Sequence, residues 1–373
     1  GTPRRSVYTR RARDPLQAHG VNDRPPDHRS NRDEDDFGQA TGGGMASVPS
    51  TPLDAGSPFA ISHGGGPAQP VRRPPARRLN TRPKLVAFLF VATCLSTTHA
   101  GSHLAELDAQ ITASEINRAM LWSGLQFTTA VMGILLAHEM GHYLQAIRYG
   151  VPATLPFFIP MPISPFGTMG AVILQQAGSA NRRALFDIAI TGPLDGLVVT
   201  IPISLWGLQS VEVIDLPENP AYPILVYGDP PLLRWMMAWV HGPLSENQTV
   251  LLNPLVFAGW VGIFITALNL LPIGQLDGGH ISYAAFGRKS TTVTIVSLAA
   301  LLGLGFVTPS WFVLASFLVI MMVVSGGFRH PPTLDEHVPL DRTRCWVAVF
   351  AAVIFALCFT PAPVDIGGLT DIP

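Results

Sequence analysis

The stretch LLAHEMGHYL, residues 135–144, places His138, Glu139 and His142 within five positions. In a helix, residues i and i+4 share a face, so both imidazoles can point at one cation. Glu139 projects beside them, where its carboxylate can take a proton from water. This is the His-Glu-x-x-His arrangement in which two histidines hold zinc and the glutamate is the general base. The plain alternative is a pair of surface histidines near a membrane interface. Position argues for the metal: the stretch follows the apolar run LWSGLQFTTAVMGILLA, and ionisable groups inside a membrane span are costly and usually functional. One Zn2+ per chain is expected.

A catalytic zinc site takes three protein ligands and keeps one position open. The best third ligand is Asp277, within NLLPIGQLDGGH, residues 269–280. Pro272, Gly274, Gly278 and Gly279 interrupt helix there, and broken backbone at membrane depth is tolerated where it lines a cavity or is buried in protein. Asp277 could instead cap a helix beginning GHISYAAF. With Asp277 completing the set, His280 reads as a supporting or structural residue. Another type of membrane metallopeptidase would take its third ligand from a downstream glutamate, Glu212, Glu218 or Glu246.

The elements that must position these residues are apolar. The 373 residues are 48% hydrophobic and 13% charged, against about 25% charged in an ordinary soluble domain. Seven apolar segments stand out, at about 85–100, 119–140, 184–207, 251–271, 291–308, 311–327 and 345–361. The expected fold is an all-α polytopic membrane protein of about seven transmembrane helices. Residues 151–178, apolar but punctuated by Pro and Gly, read as a small membrane-associated β-hairpin or sheet between the second and third spans. Gly167 and Gly170 would permit close backbone approach there.

Residues 1–83 are rich in Pro, Arg and Gly, show no apolar periodicity, and read as a disordered tail. Met45 opens MASVPSTPL, which reads as a natural start and would place residues 1–44 upstream of it. No cleavable signal peptide is evident. Residues 84–373 form the membrane domain, with a catalytic core at about 119–290. The three cysteines, Cys94, Cys345 and Cys358, have no metal or redox spacing and read as small buried hydrophobes.

Basic residues orient the spans. With the tail cytoplasmic, 22 of the 24 Lys and Arg fall inside, and only Arg118 and Arg234 fall outside. This is the asymmetry of the positive-inside rule. Both polar motifs then lie near the cytoplasmic ends of their spans, at one depth.

The two motifs together resemble the site-2 protease family of intramembrane zinc metalloproteases. HEMGH at 138–142 and NLLPIGQLDGG at 269–279 carry the likeness, which covers about residues 119–290. The resemblance implies that His138, His142 and Asp277 bind zinc and that Glu139 is the catalytic base. It also implies that Asn269 helps hold substrate or oxyanion; a helix–helix hydrogen bond is the other reading of that residue. TGPLDG at 191–196 is similar to a Gly-Pro-x-x-Gly element of the family. Gly192, Pro193 and Gly196 would allow close packing there, and Asp195 would face the cavity. The 151–178 sheet would hold substrate by strand addition, because cleavage needs extended backbone. The PDZ and CBS modules of some members are absent.

The expected function is therefore cleavage of transmembrane segments of membrane proteins within or near the bilayer, as in regulated intramembrane proteolysis. The partners are a transmembrane protein substrate and the lipid bilayer, with no nucleic acid. A non-proteolytic multi-pass metal-binding or transport protein, or a scaffold, is the rival, but a transporter usually shows internal repeats and several ionisable groups at its midplane. A bacterial plasma membrane with the N-terminus cytoplasmic is the expected location. Plant members of the family keep a thylakoid or other organellar membrane open.

Overall fold

The computed structural model describes residues 82–105, 112–176, 178–215, 224–245, 248–324 and 330–367. The tail, including Met45, lies outside the described residues up to position 81, as do Glu218 and Glu246.

Helix α1 (Pro83–Ser102) opens with a proline at its first position, where no backbone N–H is needed. Helix α2 (Ala113–Tyr149) begins in a capping box: the Thr112 N–H donates to Glu115 Oε2 at 2.9 Å. It ends at Gly150, whose φ of 69° suits a residue without Cβ. Strands β1 (Phe157–Pro160) and β2 (Thr168–Val172) pair antiparallel, Phe157 opposite Val172. Helix α3 (Arg182–Leu208) is capped by the Asn181 side chain, which accepts from the Ala184 N–H at 2.8 Å, and it runs on through Pro193 and Pro202.

Beyond α3 come β3 (Val213–Asp215), β4 (Ile224–Tyr227), α4 (Pro231–His241) and β5 (Gln248–Val250). Helix α5 (Pro254–Leu270) follows, then α6 (Asp277–Phe286), α7 (Ser290–Leu304), α8 (Ser310–Val324), α9 (Arg342–Cys358) and β6 (Val364–Gly367).

Each of the seven apolar segments coincides with a helix, but the expected count of seven spans is not reproduced. Among the described residues, α1, α2 and α3 are the helices long and apolar enough to cross a membrane. Helices α5, α7, α8 and α9 have 15–17 residues, roughly 22–26 Å at 1.5 Å per residue, short of a core about 30 Å thick. Local stops shorten two of them: α5 ends at Leu270, with its C-cap Leu271 just before Pro272, and α7 ends at Leu304, with Gly305 as its C-cap. Conversely, α2 has 37 residues, roughly 56 Å long. It runs seven residues past His142, so the motif sits inside the helix and not at its end.

The hairpin between α2 and α3 matches expectation, but two further antiparallel pairs, β3–β5 and β4–β6, do not. Strands β3, β4 and β5 fall between the third and fourth apolar segments, and β6 follows α9. The partner of β4 is β6, more than a hundred residues away in sequence, and no local pattern announces such a pairing. Helix α4 was likewise unexpected. It buries Leu233, Met236 and Met237 and exposes Trp235 and Trp239.

Helices α2, α3 and α5 form the core. Phe127 of α2 stacks on Phe257 of α5, with ring centroids 5.5 Å apart. The turn of the hairpin enters the same cluster through Phe166, whose ring lies 6.0 Å from those of Phe257 and Trp260. The hairpin also leans on α1, where Phe158 meets Phe90 edge-on at 5.2 Å. A carbon added to Gly167 would meet the Thr97 Cα at 2.6 Å, so close approach does require glycine there. Gly170 faces open space; its φ of 100° is what needs glycine. Cys358 is buried and Cys94 partly so, but Cys345 is exposed on the first turn of α9, contrary to expectation.

Candidate metal centre

His138 and His142 lie one turn apart on the face of α2 that meets α3. Their Nε2 atoms are 3.2 Å apart. Asp277, the first residue of α6 after its N-cap Leu276, brings Oδ2 to 3.3 Å from each of those nitrogens. Both imidazoles are buried, and the aspartate side chain is 14% exposed. The irregular segment after α5 aims Asp277 back at α2. A carbon on Gly278 would strike the Leu270 and Leu271 carbonyls, and one on Gly279 would strike Gly274. The chain can fold this tightly only because those positions are glycine.

The donor set suits a tetrahedral ion. Nitrogen and oxygen ligands about 2.0–2.1 Å from zinc lie about 3.3–3.4 Å from one another, close to the three separations found. The tautomer agrees. His142 Nδ1 lies 2.7 Å from the Ile188 carbonyl oxygen, which can only accept, so Nδ1 carries the hydrogen and the neutral ring turns a lone pair at Nε2 toward Asp277. That nitrogen and the carboxylate oxygen 3.3 Å away must share a proton or a metal ion, and a metal ion serves all three donors at once. Among the described residues these three are the His, Cys, Asp and Glu group that could hold a metal ion.

Helix α3 walls the site through small residues. A carbon on Gly192 would overlap the His142 ring, and one on Gly196 would touch His138 Nδ1 at 3.3 Å. Across the seam, a carbon on Gly141 would meet Asp195 Oδ2 at 2.6 Å. Asp195 therefore lies against α2 between the two histidine turns, near enough for its charge to act on both rings. Glu139 is 5% exposed and accepts a hydrogen bond from the Ile173 N–H, just past β2. The hairpin thus reaches the carboxylate beside the metal group. Asn269, in the last turn of α5, places Nδ2 3.3 Å from His138 Nε2. Of the alternative glutamates, Glu212 is exposed at the start of the β3 region and is not part of the group.

Residues 126–308 match the model of Peptidase family M50. This segment resembles that family, the site-2 proteases. The matched segment carries His138, Glu139, His142, Asn269 and Asp277. The chain is 35% identical over 187 residues to a probable zinc metalloprotease EGY1, chloroplastic, of Oryza sativa subsp. japonica, covering 49% of this chain and 32% of that protein. The corresponding EGY1 of Arabidopsis thaliana is 33% identical over 184 residues, covering 49% of this chain and 33% of the relative. A probable zinc metalloprotease EGY2, chloroplastic, of Arabidopsis thaliana is 30% identical over 263 residues, covering 68% and 46%. This chain spans between a third and a half of these relatives' lengths. No solved structure matches.

Beside the metal group, the partners of His280 and Tyr283 were not evident from the sequence. His280 Nδ1 lies 2.6 Å from His330 Nε2, and the His330 ring stacks on Tyr283 with centroids 4.2 Å apart. Tyr283 donates to Glu336 Oε1 at 3.1 Å. The segment between α8 and α9 is thereby fastened beside α6. Nothing in the run HPPTLDEH marks this, since its partners lie about 50 residues away.

Proposed function

We propose that this protein is an intramembrane zinc endopeptidase that hydrolyses a peptide bond in a locally unwound transmembrane segment of another protein. The observation that carries the reading is the triangle of His138 Nε2, His142 Nε2 and Asp277 Oδ2 with Glu139 buried beside it. Relatives named as zinc metalloproteases support the choice of metal and reaction.

His138, His142 and Asp277 would hold a zinc ion, which would supply Lewis-acid polarisation of water and of the scissile carbonyl. Glu139 takes the proton released as water adds to the carbonyl carbon, and later delivers it to the departing amide nitrogen. The Ile173 N–H holds one side of the Glu139 carboxylate, which orients the base. Asn269 Nδ2 is placed to donate to the substrate carbonyl oxygen as charge develops there. The β1–β2 hairpin, joined to Glu139 through Ile173, would present extended substrate to the base.

The charge asymmetry favours a cytoplasmic N-terminus and a site opening toward the same side. The shorter helices α5, α7, α8 and α9 would complete the seven spans if the bilayer thins or their flanking residues reach the interface. Because the relatives carry "chloroplastic" in their names, an organellar membrane is supported at least as well as a bacterial plasma membrane. The deciding experiment incubates purified protein with a transmembrane peptide, with and without a chelator. Cleavage that a chelator stops and zinc restores is expected; cleavage indifferent to chelation would overturn the reading.

A further inference from the structure

Helix α9 lies beyond the family-matched segment, yet its first turn is tied to the metal centre. Arg344 grips Asp187 of α3 with two parallel donors: Nε reaches Oδ1 at 2.8 Å, and Nη2 bonds Oδ2. Its Nη1 bonds Asp341, which also caps α9 by accepting from the Arg344 N–H at 3.1 Å. The Tyr149 hydroxyl, on the last residue of α2, donates to Asp187 Oδ2 and accepts from Arg344 Nη2 at 3.3 Å. Three helices therefore meet at one carboxylate. Arg344 is 24% and Asp187 17% exposed, so the fork is shielded enough to be more than a screened surface pair.

The position of this carboxylate gives it a consequence. Asp187 directly precedes Ile188, whose carbonyl holds His142 Nδ1 at 2.7 Å. Thr191 donates to the Asp187 carbonyl, fixing the same turn of α3. On the α2 side, Tyr149 is seven residues after His142, roughly 10 Å along the helix. Both partners of the His142–Ile188 hydrogen bond are thus pinned to each other at one neighbouring point. A slide of α3 by a single residue, about 1.5 Å, would remove the acceptor from His142 and press Gly192 differently against its ring.

We infer that Arg344 is a positioning residue for the metal centre: through Asp187 it fixes the turn of α3 that orients His142. This rests on the metal reading above. It makes the C-terminal helix part of the machinery, because α9 sets the geometry of a ligand it does not touch. Removing partners that orient a metal-bound histidine typically weakens metal binding 10–100-fold.

The test compares the full chain with Arg344→Ala, Arg344→Lys and Ile354→Ala, the last removing a buried α9 side chain far from Asp187. Two quantities are read: the rate of zinc loss to a chelator, and amide exchange over residues 187–192 in the metal-free protein. Arg344→Ala should lose zinc about 10-fold faster and exchange faster over 187–192. Arg344→Lys, which keeps the charge but not the fork, should fall between. Ile354→Ala should lower the melting temperature while both readings stay near wild type. If Arg344→Ala fails to fold, Tyr149→Phe removes the α2 arm alone and should shift both readings in the same direction. Wild-type readings from the Arg344 variants, or equal shifts from Ile354→Ala, would overturn the inference. A wild-type protein that binds no zinc would instead refute the metal reading, and the exchange measurement would still decide the role of Arg344.

Discussion

His142 and Ile188 are joined by a hydrogen bond of 2.7 Å from a ring nitrogen to a backbone carbonyl. That single contact assigns the tautomer of the imidazole and sends its free lone pair toward Asp277. It also ties α3 to the orientation of the His142 ring, because Ile188 lies on that helix.

The seam between the two helices predicts a graded response to one added methyl. Gly192→Ala drives a carbon into the His142 ring and should weaken zinc binding roughly 10–100-fold. Gly196→Ala makes only a 3.3 Å contact with His138 and should cost less. Gly133→Ala meets nothing within 4 Å; it should leave metal unchanged and add up to about 1 kcal/mol of stability. Metal titration of the three variants checks the order, and equal effects at 192 and 133 would refute it.

Glu139→Gln keeps the size of the side chain and removes its basicity. Zinc content should stay at one per chain while peptide cleavage falls by about 10²-fold or more. Elemental analysis alongside a cleavage assay separates the two. Loss of zinc in this variant would mean that Glu139 is a ligand.

Asp277→Ala takes one vertex from the triangle and leaves two neutral imidazoles. Zinc should be lost on dialysis and cleavage with it. Full retention would show that another group completes the site.

Asn269→Ala distinguishes two uses of the amide. A donor to the developing oxyanion should be worth about 10²–10³ in kcat, with zinc content unchanged. A helix-packing role predicts a lowered melting temperature and near-normal turnover per folded molecule.

The contact between His280 and His330 predicts a pH effect away from the metal ligands. Burial pushes the His330 imidazole below its ordinary value, about 6.5. Its Nδ1 donates to the Pro331 carbonyl, leaving Nε2 to accept from His280. The neutral form is thus the one folded in, and its contribution is complete above about pH 6.5. It is lost as pH falls through the lower folded value. Melting temperature should decline between pH 7 and pH 5, and His330→Gln should flatten that decline. A slope unchanged by the substitution would exclude His330 as its source.

The chemistry of this protein was legible because it is written in short-range spacing. His138 and His142 share a helix face by periodicity alone, and the glycines around Asp277 are the residues such a tight reversal needs. Apolar runs located all the major helices for the same local reason, that a helix satisfies its own backbone in a membrane. Helix length was less legible. The apolar run near α2 stops at about residue 140, but the helix continues to Tyr149, with Ala146 packed against Ala184 and Ile188 of α3 and Arg148 left exposed. Two apolar runs, those of α5 and α7, closed early beside Pro272 and Gly305. What lies far apart in sequence was decided by tertiary structure: β4 with β6, His280 with His330, and Arg344 with Asp187. The approach of Asp277 to the two histidines stands between these cases. Sequence supplied the donors and their common depth, but only packing of α6 against α2 and α3 brought three lone pairs within 3.3 Å. Such contacts depend on which apolar faces meet, and many sequences bury those faces equally well.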